Sequence, residues 1–314
     1  MKLSNLGERK ILHNLEKFLN IGDDGAFVKV NDKYLIITTD MLYGPTHFLR
    51  EMSYYQIGKR VVTSCFSDIA AMGALPFGFL LSYGSEDIDY KNFKELILGV
   101  NAQCKKFNAE FLGGDTNETY KLTVAGTAAG WTDKPILRSG AKINDLVAIT
   151  GTVGSSALGV EILTKKIKVK KNLESYLKNV LKFTLESEPR IKGGYFLRKF
   201  ANSMMDISDS LAVCFYEISR QSKVGMEIDL EKLPYTKSAI KIANELNLNL
   251  MNCALYGGGD YQLVFTIPEK NWQKIKNRID ATVIGKVVKK NVIGYLNEEK
   301  VKIENRGYEH FVKK

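Results

Sequence analysis

The 314-residue chain has little of what structural metal sites and disulfide scaffolds require. It contains only three histidines, and its cysteines form no CxxC pair and lie far apart, at Cys65, Cys104, Cys214 and Cys253. This spacing excludes a zinc-finger pattern and indicates buried thiols in a reducing compartment. No apolar run reaches the roughly 18 residues that a membrane span needs, and the charged first ten residues do not resemble a signal peptide. We therefore expect a cytoplasmic protein without a membrane partner.

Two common phosphate-binding loops are also missing. The chain contains no GxxxxGK[ST] loop, and no GxGxxG fingerprint follows a predicted strand. A P-loop kinase and a Rossmann dehydrogenase are therefore disfavoured. A weaker pattern is present at residues 151–156, GTVGSS, where backbone N–H groups at a helix start could face an anion. The alternative, an ordinary turn between a strand and a helix, stays open.

The composition and the net charge are typical of a folded protein that binds anions. Apolar residues make up 45% of the chain and charged residues 25%, which is enough to build cores in two domains of ordinary size. The net charge of +10 favours nucleotides or phosphorylated metabolites as partners. The lysine-rich segment 165–182 has one tyrosine and no arginine, so it indicates a solvated helix or connection. We expect no nucleic-acid partner.

The hydrophobic pattern alternates between helix and strand periods. Apolar residues at three- and four-residue intervals predict helices at 56–72, 91–108 and 210–222. Short β-rich runs predict strands at 34–39, 77–83, 122–129, 146–150, 261–267 and 282–288. The alternation predicts an α/β fold. A turn before the strand at 146 predicts two domains, 1–143 and 144–314.

The most unusual feature is a set of aspartates beside glycine, serine or threonine, at residues 22–25, 38–40, 67–68, 113–116 and 206–210. Taken singly, such an aspartate is typical of a turn or a helix cap. Asp68 differs, because it lies seven residues after Val61, near the apolar stripe of its predicted helix, where an unpaired carboxylate is costly. Carboxylates that converge repel one another and need cations between them. Donors that are all oxygen favour Mg²⁺.

Eight stretches make the chain similar to the thiamine-monophosphate kinases, a family of the aminoimidazole-ribonucleotide-synthetase-like superfamily. They are IGDDGA at 21–26, TTDMLYGPTHF at 38–48, SDIAAMGALP at 67–76, GGDT at 113–116, RSGAKINDLVAITGTVGSSALG at 138–159, MDISDSL at 205–211, GGGDYQLVFT at 257–266 and GYEHF at 307–311. SDIAAMG and GGDT resemble the whole superfamily. The His-Phe after TTD and the closing GYEHF resemble the thiamine-phosphate branch.

The resemblance implies an α/β (α+β) protein of two domains. The N-terminal domain would pair with its symmetry mate into a strand barrel, which gives a homodimer with ATP in a cleft between the halves. The implied Mg²⁺ ligands are Asp24, Thr38, Thr39, Asp40, Asp68, Asp115, Asp206 and Asp209. The implied ATP contacts are Gly114, Asp115, Arg138 and Ser208, and the implied acceptor contacts are His47 and Tyr308. The implied reaction is in-line transfer of the γ-phosphoryl group of ATP to thiamine monophosphate, assisted by metal and charge without a covalent residue.

The chain departs from the family at positions that concern the acceptor. Where the family has Gly-Gly-Glu-Asp-Tyr-Glu-Leu, residues 257–263 read GGGDYQL, so Gly259 replaces the glutamate expected to meet the substrate. Ser210 replaces a glycine, and residues 43–46 differ from the usual loop before His47. Two alternatives stay open: a non-catalytic nucleotide-binding paralogue, and an ATP-dependent synthetase of the superfamily that acts on another phosphorylated metabolite. Two other enzymes of the superfamily are disfavoured. A hydrogenase-maturation enzyme would need a terminal cysteine, and a selenophosphate synthetase would need a reactive cysteine near the start.

Overall fold

Two β-sheets organise the structure, a computed structural model that describes residues 2–312. The first sheet has the order β1-β2-β5-β3-β4 and contains β1 (Ala26–Val30), β2 (Lys33–Tyr43), β3 (Leu75–Ser85), β4 (Glu110–Glu118) and β5 (Thr123–Thr132). The second has the order β12-β11-β8-β10-β6-β9-β7 and contains β6 (Leu146–Thr150), β7 (Ser203–Asp206), β8 (Gly225–Asp229), β9 (Leu263–Ile267), β10 (Ala281–Val288), β11 (Val292–Leu296) and β12 (Glu299–Lys302). The fold is mixed α/β, as the alternation predicts.

Helices pack against both sheets. They are α1 (Glu8–Leu15), α2 (Gly44–His47), α3 (Tyr54–Ala71), α4 (Tyr90–Lys106), α5 (Ser155–Thr164), α6 (Glu174–Leu185), α7 (Ile191–Leu197), α8 (Leu211–Ser222), α9 (Lys237–Leu246), α10 (Leu250–Tyr256) and α11 (Glu269–Ile275). Short 3₁₀ turns lie at Leu3–Asn5, Lys171–Leu173 and Leu230–Lys232. Within residues 2–312, none of these helices has both the length and the apolar character that crossing a bilayer requires.

The strongly periodic elements match the sequence predictions. Strand β6 has the predicted bounds, and α3, α4 and α8 begin and end within two residues of them. The predicted strand at 261–267 begins only at Leu263, because Tyr261 has a φ of 49°, outside the extended region. Strand β4 was not predicted, since GGDTN has low strand propensity. Its parallel pairing with β3 holds it in the sheet.

Helix α3 lies between the two halves of the chain and is buried along most of its length. It begins with a capping box in which Ser53 and Gln56 satisfy each other's backbone N–H groups. One continuous core combines side chains from the first sheet with others from β7 and β9, including Phe79, Met204 and Phe265. The halves therefore share a core around α3. The domain boundary at 143 stays a prediction.

The face of the first sheet that points away from α3 is apolar and exposed to solvent. Val28, Met41 and Leu80 expose 55%, 67% and 44% of their surface there, and Phe77 stacks on Trp131 with ring centroids 5.8 Å apart. We call this surface the outer face, and it includes Val28, Leu35, Ile37, Met41, Leu75, Leu80 and Trp131. The sheet is open in the single chain, with β1 and β4 at its edges. An exposed apolar face of this kind is typical of a protein interface.

Helices α3 and α4 approach so closely that only glycine fits at their contact. A Cβ atom on Gly58 would lie 2.0 Å from the carbonyl oxygen of Leu96, and one on Gly99 would lie 2.1 Å from that of Tyr55. Both neighbours are backbone atoms, so they cannot move aside as a flexible side chain would.

We expect Gly58→Ala to destabilise the protein by about 1 to 3 kcal/mol, because the added methyl group forces the helices apart. Urea unfolding followed by circular dichroism measures this. Gly193→Ala is the matched control, since a Cβ there meets only one side-chain atom, at 3.8 Å. Equal stabilities for the Gly58 variant and the wild type would contradict the close packing.

Candidate active site

Three carboxylates from distant parts of the chain meet where the two sheets face each other across α3. Asp24 lies in the loop before β1, Asp68 in the last turn of α3 and Asp206 at the end of β7. Each offers an oxygen atom, and these atoms lie within 4.8 Å of one another. We call them the carboxylate cluster. The predicted convergence of aspartates is thus present for these three residues.

Strand β2 and helix α3 support the cluster from the first sheet. The Thr38 hydroxyl donates a 2.5 Å hydrogen bond to Asp68 Oδ2. Asp40, two residues further along β2, projects from the same side of the sheet, where burial raises its pKa and the nearby Ser64 lowers it. Ser64 lies one helical turn before Asp68, so both face the cluster. Strand β2 and helix α3 therefore supply four side chains in or beside the cluster, namely Thr38, Asp40, Ser64 and Asp68.

Strand β7 supplies the cluster from the second sheet. Ser67 Oγ donates a 2.6 Å hydrogen bond to Asp206 Oδ2, and Ser208 Oγ lies 3.4 Å from Asp206 Oδ1. The chain then turns through Asp209 into α8, whose N-cap is Ser210. The turn from β7 to α8 therefore places Ser208 and Asp209 at the rim of the cluster.

Arg138 is the cation at the centre of the site. Its Nη2 forms a 2.7 Å ion pair with Asp24 Oδ1, and its backbone N–H donates a 2.6 Å hydrogen bond to Asp23 Oδ1. Burial alone would lower the pKa of this guanidinium, but the charge of Asp24 and the bond to it raise the pKa instead. Arg138 therefore carries a fixed positive charge against the carboxylates.

The carboxylates outnumber that cation, and their protonation equilibria reflect the imbalance. Burial, followed by the charge of Asp40, raises the pKa of Asp68 well above its ordinary 3.8. Burial and then the charge of Asp24 do the same to the pKa of Asp206. Burial also raises the pKa of Asp209 to about 6. The site therefore holds more ionisable oxygen than its own cation can compensate.

Two buried polar atoms in this site have no hydrogen-bond partner among residues 2–312. They are Asp24 Oδ2 and Arg138 Nε. Buried polar atoms are nearly always paired, so such atoms in a cluster of acids indicate a ligand that contacts them. The donor set is oxygen, which suits a hard divalent cation.

The two predicted acceptor contacts lie beside each other. The His47 and Tyr308 rings have centroids 5.8 Å apart in an edge-to-face arrangement. The backbone N–H of Tyr308 donates to the carbonyl oxygen of Asp209 over 3.3 Å, which links this pair to the rim of the cluster. Burial lowers the pKa of His47, so its imidazole is neutral at pH 7.

Three predicted site residues are not brought to the cluster within the chain. The Thr39 hydroxyl donates to the carbonyl oxygen of Gly126 and lies on the outer face of the sheet. Gly114 occupies β4, separated from Asp40 by β5 and β3, which is about 14 Å across the sheet. Asp115 pairs with Ser82, and its exposed side chain lies on the outer face. Their implied roles stay predictions.

The glycine loop at residues 151–156 faces an anion that belongs to the protein. Asp260 Oδ2 accepts a 2.7 Å hydrogen bond from the backbone N–H of Gly154, and Oδ1 accepts one of 3.2 Å from Ser156. The N–H groups at the start of α5 are thereby satisfied by a carboxylate. Burial raises the pKa of Asp260 to about 7, although these two bonds lower it.

Sequence reasoning missed the serines that hold the carboxylates. Ser64 and Ser67 precede Asp68 by four and one residues, and both lie on the side of α3 that faces the site. The four-residue spacing from Ser64 to Asp68 was a signal that could have identified it. Ser67 binds Asp206, a partner that only the tertiary fold brings near.

We expect the pH dependence of stability to single out Asp260. Because its pKa rises from 3.8 to about 7 on folding, the native state binds more protons than the unfolded chain in this window. This carboxylate therefore costs stability progressively as the pH rises from about 4 to about 7, by at most about 1.4 kcal/mol per pH unit. The Asp260→Asn variant should gain stability relative to the wild type as the pH rises.

Thermal unfolding of both proteins in a chelator, from about pH 5 to about pH 8, measures that difference. Asp133→Asn is the control. Its hydrogen bond to Arg198 lowers the pKa of Asp133, so the effect of that substitution should be constant over this range. A difference in stability between Asp260→Asn and the wild type that stays constant with pH would contradict the raised pKa of Asp260.

Known proteins are similar to this chain in sequence and in fold. The model of the family "AIR synthase related protein, N-terminal domain" matches residues 22–132. Thiamine-monophosphate kinases from Pyrococcus horikoshii and Aquifex aeolicus are 35% and 32% identical, over 94% and 99% of this chain and 93% and 100% of their own lengths. A solved structure described as AaThiL complexed with AMPPCP and TMP is 31% identical with a TM-score of 0.90, and the match covers 99% of each chain. The chain belongs to the thiamine-monophosphate kinase family of phosphotransferases.

Proposed function

We propose that this protein transfers the γ-phosphoryl group of ATP to thiamine monophosphate in a Mg²⁺-dependent reaction that gives thiamine diphosphate. The observation that supports this most is the convergence of Asp24, Asp68 and Asp206 within 4.8 Å, together with the ion pair between Arg138 and Asp24. The relatives that match nearly the whole chain carry the name of this activity, and one was solved with AMPPCP and TMP.

The residues present fit Mg²⁺. The cluster offers only oxygen donors, and Asp24 Oδ2 is buried without a partner among residues 2–312. Asp24, Asp68 and Asp206 would hold the ions, with Asp40 and Asp209 at their edge. Bound Mg²⁺ would neutralise the charge of the two phosphate groups that have to approach each other.

The remaining chemistry needs little from the protein beyond alignment. The acceptor is a phosphate whose second pKa is about 6, so it is already ionised near neutral pH and needs no general base. Arg138 adds a fixed positive charge on the side of ATP, and Ser208 adds a hydroxyl donor there. His47 is neutral and packs against Tyr308, so this pair orients the organic part of the acceptor. Transfer is then direct and in line, without a covalent enzyme intermediate.

We further propose that the outer face pairs with the same face of a second copy. This pairing would cover the apolar side chains of Met41 and Leu80. It would also give a role to Gly114 and Asp115, which lie on the exposed edge strand β4, away from the cluster of their own chain. In such a dimer each β4 meets the partner, so Asp115 would act on the nucleotide and metal of the neighbouring site.

Purified protein with Mg²⁺, ATP and thiamine monophosphate should form thiamine diphosphate, which chromatography measures. Asp68→Asn should lower kcat by at least about 100-fold, because the variant loses a charge that holds the ions between the phosphates. Asp133→Asn, whose side chain is mostly exposed and pairs with Arg198, should retain wild-type turnover.

ATP binding without any product in the wild-type protein would favour a non-catalytic paralogue. Activity only with another phosphorylated acceptor would retain the kinase chemistry and change the substrate.

The proposed dimer predicts complementation between two inactive variants. Asp68→Asn and Asp115→Asn should each be inactive but folded, because one alters the cluster and the other an exposed strand position. After they are mixed under conditions that exchange subunits, half of the dimers contain one intact site. Turnover should then recover to about a quarter of the wild-type value. Absence of recovery despite proven subunit exchange would place both residues in the same chain's site.

A further inference from the structure

Arg60 extends the row of site residues along α3. Arg60, Ser64 and Asp68 are spaced by four residues, so they lie on one face of the helix, and about 12 Å of helix separates the first from the last. Asp68 belongs to the carboxylate cluster, and Ser64 contacts Asp40 beside it. The row therefore leads from the anionic centre of the site to a single cation.

The contacts of Arg60 are neutral. Its Nη2 donates to the carbonyl oxygen of Thr184 and lies 3.4 Å from Ser187 Oγ. Its guanidinium lies 5.6 Å from the centroid of the Tyr261 ring. Arg60 is only partly exposed, and it forms no ion pair with any residue between 2 and 312. An arginine held this way keeps a positive charge that no carboxylate compensates.

The position that faces this charge is Gly259. A Cβ atom on Gly259, whose φ is 82°, would lie 2.9 Å from Ser156 Oγ and 3.9 Å from Arg60 Nη1. The backbone N–H of Gly259 donates a 2.7 Å hydrogen bond to the carbonyl oxygen of Ser208, at the rim of the cluster. Glycine brings no carboxylate to this place, so Gly259 offers the guanidinium no partner charge. With Gly259 in place of glutamate, the charge of Arg60 thus has no carboxylate partner at this position.

The charge of Arg60 is felt in both parts of the site that the reaction has to connect. Its charge acts on Tyr261 together with those of Asp40 and Asp206, and it also acts on His47. The cation is therefore within electrostatic range of the carboxylate cluster on one side and of the acceptor pair on the other.

We propose that Arg60 binds the phosphate group of the acceptor and makes that phosphate the main determinant of acceptor recognition in this chain. This inference rests on the proposed function. The thiazolium ring of thiamine is a cation and is repelled by a guanidinium, so the anionic end of the acceptor is the part that Arg60 attracts. Arginine is suited to this contact because its planar N–H groups match two phosphate oxygens at once.

The test is a comparison of two ligands and two protein variants by calorimetry in Mg²⁺ and a non-hydrolysable ATP analogue. Arg60→Gln should weaken binding of thiamine monophosphate by at least about tenfold and change binding of thiamine by less than about twofold. Arg60→Lys should retain most of the affinity for thiamine monophosphate, because the charge remains. Affinity for the ATP analogue alone should be unchanged in both variants, which also shows that they are folded.

Lys59→Gln is the matched control, because the neighbouring Lys59 is directed to Glu186, 4.0 Å away. It removes one positive charge from the same helix turn and should leave the affinities for both ligands as in the wild type. This control separates a contact with the phosphate from a general change in surface charge.

Two results would overturn the inference. Equal losses of affinity for thiamine and thiamine monophosphate in Arg60→Gln would show that Arg60 only holds Thr184 and Tyr261 in place. Unchanged affinity for thiamine monophosphate would show no contact at all. In both cases, normal turnover by the wild-type protein would still support the proposed function. A wild type that neither binds nor phosphorylates thiamine monophosphate removes the proposed function and the inference together.

Discussion

Repulsion between buried carboxylates is the constraint on which the rest of this structure depends. Asp24, Asp68 and Asp206 approach within 4.8 Å of one another, and Arg138 is the one cation paired with them in the described chain. Carboxylates held this close lose solvation and repel, so the pKa values of Asp68 and Asp206 are raised toward the neutral acid. Such a cluster costs folding free energy in the free protein. A divalent ion converts that cost into affinity, because it binds where the negative charge is already fixed.

The fold keeps the carboxylates together by burying α3 between the two halves of the chain. The close crossing at Gly58 and Gly99 fixes α3 against α4, and the shared core fixes it against β7 and β9. Hydroxyl groups of Thr38 and Ser67 then orient Asp68 and Asp206, whereas Arg138 orients Asp24. Because buried residues of α3 and β7 carry these supports, the donor oxygens are held in place before any ligand arrives. Such preorganisation lets electrostatic interactions act fully on transferring phosphoryl groups.

Local patterns in the sequence predicted individual helices and strands but not how they pack together. Helical spacing identified Asp68 as an acid on a buried face, and periodicity located α3 and β6 closely. The meeting of Asp24 with Asp206 depends on long-range packing that no spacing expresses, and it was expected only from the resemblance to a family. The outward direction of Asp115 follows from the register of β4, an element whose low strand propensity hid it. Asp260 was missed as the anion of the glycine loop because residues more than a hundred positions apart form that contact.

The most direct test of this account is to count divalent ions bound by the free protein. Electron paramagnetic resonance of Mn²⁺ at neutral pH, without nucleotide, measures the ion that remains unbound. We expect saturable binding by the wild-type protein and its loss in Asp24→Asn, which removes the buried Oδ2 that lacks a partner within residues 2–312. Equal Mn²⁺ binding by both proteins, or none by either, would contradict the claim that the carboxylate cluster is a metal site.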